Sequence, residues 1–126
     1  MTQWFKQRHA PLPGTYLCQK TDIETYKVKE FRFGGASPFA FRMFIYNDNG
    51  TFKAYRNSCP HYDVPLNHSA DDLFTSDKQY FQCMTHFAKF EKDSGACISG
   101  PCEGKALESI PIQQDDEALL INRNAY

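Results

Sequence analysis

A chain of 126 residues with 41% hydrophobic and 15% aromatic content is sized for a single domain with a modest core. Fourteen basic residues stand against fifteen acidic ones, a formal net charge of -1, so no global field points to nucleic acid or to an anionic membrane. The opening Met1-Thr2-Gln3-Trp4-Phe5-Lys6-Gln7-Arg8-His9 has no unbroken apolar stretch, and the most apolar later run, 39–46, is interrupted by Arg42. The expectation is therefore a soluble, cytoplasmic chain with neither signal peptide nor membrane span. Five cysteines, an odd number, fit thiols or metal ligands better than a secreted disulfide framework.

Residues 1–14 hold Pro11, Pro13 and Gly14 among polar residues and read as an irregular lead-in, pinned by Trp4 or Phe5; His9 within it reads as a solvated side chain. From Tyr26 the pattern turns to strand. Tyr26 and Val28, then Phe31 and Phe33, alternate with charged residues, and the break of phase at Glu30 predicts a bulge. Gly34-Gly35 closes that strand. Phe39, Phe41, Met43 and Ile45 line one face of the next, Asn47-Asp48-Asn49-Gly50 makes a hairpin loop, and Phe52, Ala54 and Arg56 answer on the return strand. The aromatic stripe is core packing.

The hairpin delivers the chain to Asn57-Ser58-Cys59-Pro60-His61, and a second box follows at Cys83-Met84-Thr85-His86, so two Cys and two His fall in two short segments. Between them, Val64 to Phe74 is polar and broken by Pro65, which predicts a long loop with one helical turn. Residues 79–82 read as a strand into Cys83 and 87–91 as its partner, with Asp93-Ser94-Gly95 as the next turn; each box is then expected at the tip of a β-hairpin. After Pro101, residues 106–112, a turn at Asp115-Asp116-Glu117 and residues 119–122 make a closing hairpin that joins the first sheet. No repeat and no helix-period stripe appears, so the class is all-β.

The C-x-H of Cys59 and His61 and the C-x-x-H of Cys83 and His86 resemble the ligand boxes of the Rieske family. There, Cys thiolates hold one iron and His imidazoles the other in a 2Fe-2S cluster. Ser99-Gly100-Pro101-Cys102 sits where that family places a Gly-Pro turn over the cluster, and Tyr16-Leu17-Cys18 resembles its first short strand. The resemblance covers about residues 15–123. It implies an antiparallel β sandwich over residues 15–126 with a small cluster-binding subdomain inserted at about 57–102. It also implies Cys59, His61, Cys83 and His86 as the cofactor and metal ligands. The role implied is that of a Rieske-type ferredoxin, which is not itself an enzyme. It would carry one electron at a time from a flavin-dependent reductase to a terminal oxygenase, with no nucleic acid and no membrane as partner. No Gly-rich dinucleotide fingerprint occurs, so flavin or nicotinamide would reside on the reductase.

Thiolate stabilises ferric iron, whereas neutral imidazole is the weaker donor, so the His-held iron is the easier one to reduce, and His61 and His86 become the expected electron exit. The second ring nitrogen of each links reduction to pH. The rim of His61, Tyr62, His86 and Phe87 is the expected docking face. Respiratory members of the family bridge the two loops through an extra Cys in each box; the matching positions here are Val64 and Thr85. High-potential members place Ser and Tyr two and four residues after the second His, where this chain has Ala88 and Phe90. The run His86-Phe87-Ala88-Lys89-Phe90 is instead similar to ferredoxins of aromatic-ring dioxygenases, and residues 95–102 are similar to small stand-alone bacterial Rieske proteins. Two other readings stand beside this one: a Rieske-like small subunit or sensor without redox work, and a structural Cys2His2 zinc module. Of the remaining residues, Cys97 and Cys102 are either buried thiols or a disulfide formed under oxidation. Cys18 reads as a packed small hydrophobe, and His68 as a solvated loop residue.

Overall fold

The structure, a computed structural model, describes residues 4–35, 40–60, 64–67, 73–84 and 87–125. Its strands are β1 (Tyr16–Gln19), β2 (Val28–Phe33), β3 (Phe41–Asp48), β4 (Thr51–Arg56), β5 (Tyr80–Gln82), β6 (Lys89–Glu91), β7 (Cys97–Ser99), β8 (Ser109–Ile110), β9 (Ile112–Asp115) and β10 (Ala118–Ile121). Every pairing between them is antiparallel, and the described residues include no α-helix. The chain is therefore all-β. It divides into two compact units, Met1–Arg56 with Ser109–Tyr126, and Asn57–Glu108.

The first unit is a sandwich of two sheets, β1-β10-β9 and β2-β3-β4-β8. Phe41, Met43 and Ile45 recur at period two along β3 and share one buried cluster with Leu119 and Ile121 of β10 and Ile110 of β8. Burying such a side chain fully contributes about 1.5–3 kcal/mol. Cys18 belongs to the same cluster, and burial pushes its thiol above the ordinary range, as a packed hydrophobe requires. Trp4 begins a short 3-10 turn, Trp4–Lys6, and is buried with its ring 6.1 Å from Phe41, so the lead-in is pinned by Trp4 and has one regular turn. The β3–β4 connection is the expected hairpin: Asn49 and Gly50 take φ of 52° and 96°, the left-handed pair that a two-residue turn demands. Phe39 lies outside the described residues.

The expected bulge at Glu30 is absent. Pairing of β2 with β3 runs without a shift from Val28↔Tyr46 through Glu30↔Phe44 to Phe33↔Phe41. Val28 shares one face with Glu30, which reaches Arg42 at 3.1 Å, while Phe31 and Phe33 point into the core cluster from the other face. The break of phase is a change of face along a regular strand. The segment 106–112 also divides: β8 pairs with β4, Pro111 interrupts, and β9 pairs with β10 in the other sheet. Proline has no N–H for a ladder, so the chain changes sheet there.

The second unit carries the sheet β5-β6-β7. Leu66, Leu73, Phe81 and Phe90 are fully buried in it. A side-chain knot starts β5: the Thr75 hydroxyl donates to Asp77 Oδ1 at 2.6 Å, and the Gln79 N–H donates to the same oxygen at 3.0 Å. These donors hold the Asp77 carboxyl below the usual carboxylate range, the Thr75 hydroxyl most of all. The predicted helical turn between the boxes lies largely outside the described residues.

Candidate metal centre

Cys59 is fully buried and its N–H donates to the Val64 carbonyl at 2.6 Å. Among the described residues this antiparallel bridge closes the first box, and no strand pair flanks it there. Side-chain amides replace the missing ladder. Buried Asn57 accepts the Leu66 N–H on Oδ1 at 2.8 Å, and its Nδ2 donates to Oδ1 of buried Asn67 at 2.8 Å. Each such bond contributes about 0.5–1.5 kcal/mol, and more is lost if a buried N–H is left unmet.

The second box does lie at a hairpin tip, between β5 and β6. Cys83 is fully buried; its N–H donates to the Ala88 carbonyl at 2.9 Å, and the Phe87 N–H donates to the Cys83 carbonyl at 2.7 Å. Phe87 takes φ of 59° and leaves its side chain 62% exposed, so the partner strand starts at Lys89, two residues later than expected. The second box is tied to the first through Leu66, whose carbonyl accepts the Met84 N–H at 2.7 Å while its N–H is held by Asn57.

A third loop touches both. Gly100, at φ of 101°, lies so close to the second box that a Cβ there would stand 2.8 Å from the Ala88 Cα, so only glycine fits. From the same loop Cys102 hydrogen-bonds with Cys59 and with Cys97, whose sulfur is 2.8 Å away. Burial chiefly, and then these neighbouring thiols, push the Cys102 thiol far above its ordinary range.

Two fully buried cysteines, Cys59 and Cys83, are thus delivered by cross-tied loops. A pair of soft sulfur donors fits an iron–sulfur group or zinc and not a hard cation. His61, Tyr62, His68, Thr85 and His86 lie outside the described residues. Pattern reading overlooked Asn57, Asn67 and the Cys102–Cys59 contact; a buried asparagine has no signature separating it from a loop asparagine, and that contact joins distant parts of the chain.

The family model of the Rieske [2Fe-2S] domain matches residues 15–114. No curated protein matches the chain by sequence at a significant level. Among solved structures, the chain is similar to one in a complex of reduced oxygenase and oxidised ferredoxin in carbazole 1,9a-dioxygenase, with a TM-score of 0.68 at 17% identity, covering 92% of this chain and 98% of that one. It is also similar to a ferredoxin of Sphingomonas yanoikuyae B1, with a TM-score of 0.62 at 20% identity over 86% of this chain and 97% of that one. The ferredoxin of carbazole 1,9a-dioxygenase from Nocardioides aromaticivorans IC177 gives 0.62 at 17% identity over the same shares, 86% and 97%. At these identities the likeness is one of fold.

Proposed function

The chain belongs to the Rieske [2Fe-2S] domain family, and on that premise we propose that it is a ferredoxin, taking single electrons from a flavin-dependent reductase and passing them to a terminal oxygenase. The observation that carries the reading is the fold likeness over nearly the whole of small ferredoxin chains, one of them from a complex with an oxygenase. We place the carrier in the cytoplasm, and its cluster-binding subdomain at about residues 57–102. The group supplies a one-electron couple when bound. Cys59 and Cys83 would hold one iron and His61 and His86 the other. Burial of both thiols keeps water from the sulfurs. The ties Asn57–Leu66 and Met84–Leu66 fix the two loops in advance, so little reorganisation opposes transfer.

Colour and electron paramagnetic resonance of the purified protein after dithionite test this reading. A Rieske spectrum is expected, and its alteration or loss in His61→Cys and His86→Cys, with His68→Ala unaffected. A colourless, silent protein containing zinc overturns the reading in favour of a structural site. An unchanged spectrum in either ligand variant overturns the assignment of that histidine.

A further inference from the structure

Cys97 and Cys102 hold no iron in the reading above, yet their sulfurs lie within about 1 Å of disulfide bonding distance. The backbone around them is already fixed. The Cys97 N–H donates to the Lys105 carbonyl at 2.9 Å, the Lys105 N–H donates to the Cys102 carbonyl at 3.0 Å, and the intervening chain turns through Gly100. Closing a bond between the two sulfurs therefore calls for a small side-chain movement and no refolding of the loop. The pair is also well placed to act on the centre, because Cys102 hydrogen-bonds with Cys59 while Gly100, between the two cysteines, rests on Ala88, two residues past the second box.

We propose that Cys97 and Cys102 form a reversible dithiol–disulfide couple whose state controls hydrogen bonding to the Cys59 sulfur. The part concerning Cys59 rests on its reading as an iron ligand. The oxidant is a low-molecular-weight disulfide. Cys97, 7% exposed against 1% for Cys102, is reached first. Its thiolate attacks one sulfur of the small disulfide and expels one small thiolate; Cys102 then attacks the mixed disulfide at Cys97, its proton passing to the second small thiolate as that leaves. Two cysteine thiols are oxidised, one small disulfide is reduced to two thiols, and the two protons go to those thiols. In the dithiol state the Cys102 S–H is a donor for the Cys59 sulfur. In the disulfide state that donor is gone, the ligand sulfur holds its negative charge unaided, and the reduced centre is less stable.

The test equilibrates the cluster-loaded protein with reduced and oxidised glutathione at graded ratios, then applies two readouts. Tryptic cleavage after Lys92 and Lys105 leaves both cysteines in one peptide, which should be lighter by two hydrogens once bridged. Fast protein-film voltammetry should show a lower potential for the bridged form, up to a tenfold fall in the reduction equilibrium constant, about 59 mV for a one-electron couple. Cys102→Ala should sit at the low potential whatever the glutathione ratio, and Cys97→Ala should stay near the parent dithiol value and cease to respond. A peptide that keeps two thiols under oxidised glutathione overturns the couple. A bridged peptide with an unchanged potential overturns the link to Cys59. Should Cys102→Ala fail to fold, the parent series and Cys97→Ala still decide. A parent without a Rieske spectrum counts against the function proposed above, and the peptide mass reads the couple independently of it.

Discussion

At the level of single residues, the potential of the centre turns on two side chains without hydroxyls. Ala88 and Phe90 are fully buried at the positions where high-potential relatives place Ser and Tyr, so neither can donate to a cluster or ligand sulfur. Donors stabilise the more negative reduced state, and their absence places the expected potential near the lower end of the Rieske range, about -150 mV and far from the +300 mV extreme. Ala88→Ser and Phe90→Tyr should each raise it by tens of millivolts, tens being less than the roughly 59 mV of a tenfold change. Voltammetry on parent and variants checks this, and a parent well above zero contradicts it. The placing of Cys59 and Cys83 in two neighbouring loops was legible at this scale because the two Cys-His boxes are short and closely spaced. The Cys102–Cys59 contact was not, because only the third loop's path over both boxes brings those sulfurs together.

Among the elements, loops that lack a ladder are held by a few exact fits, and these make sharp targets. Gly100 combines φ of 101° with backbone contact to Ala88, so Gly100→Ala meets both a disfavoured conformation and a collision with main chain that cannot swing aside. A loss of at least about 1–2 kcal/mol is expected, read as a lower melting temperature together with easier loss of the cluster on dilution. Asp77 gives a test in acid. Its carboxyl is held below the ordinary range by Thr75 and Gln79. Its contribution is therefore present above the unfolded carboxylate pKa, about 3.9, and is lost as pH falls through the lower folded value. Asp77→Asn should flatten that part of the stability curve below about pH 4, measured by denaturant midpoint against pH. Strand order along β3, β4 and the closing hairpin was legible in period two and turn residues. The bulge at Glu30 was misread because β2 has apolar residues on both faces, and alternation alone cannot tell a change of face from an inserted residue.

If the molecule is the carrier proposed above, the decisive property is a surface that would meet a reductase and then an oxygenase. Fold class and the family were legible because the Cys-His boxes, the Gly-Pro turn and the strand-period segments follow one another closely along the chain. Which surface faces partners depends on exposure, which sequence does not encode, and Phe87 is the informative case. It is 62% exposed and takes φ of 59°, a left-handed conformation that favours glycine. An aromatic held in a left-handed conformation costs about 1–2 kcal/mol. Relief of that strain in Phe87→Gly is offset by about 0.5–1 kcal/mol of added chain entropy. The variant should therefore fold and load its cluster much as the parent does while losing the aromatic contact. Electron-transfer encounters bury little area, so one exposed ring at the rim is a large share of the interface. Stopped-flow reduction by the cognate reductase should be slower for Phe87→Gly and slower still for Phe87→Glu, with unchanged spectra in both. Equal rates in cluster-intact variants would show that partners dock elsewhere on the chain.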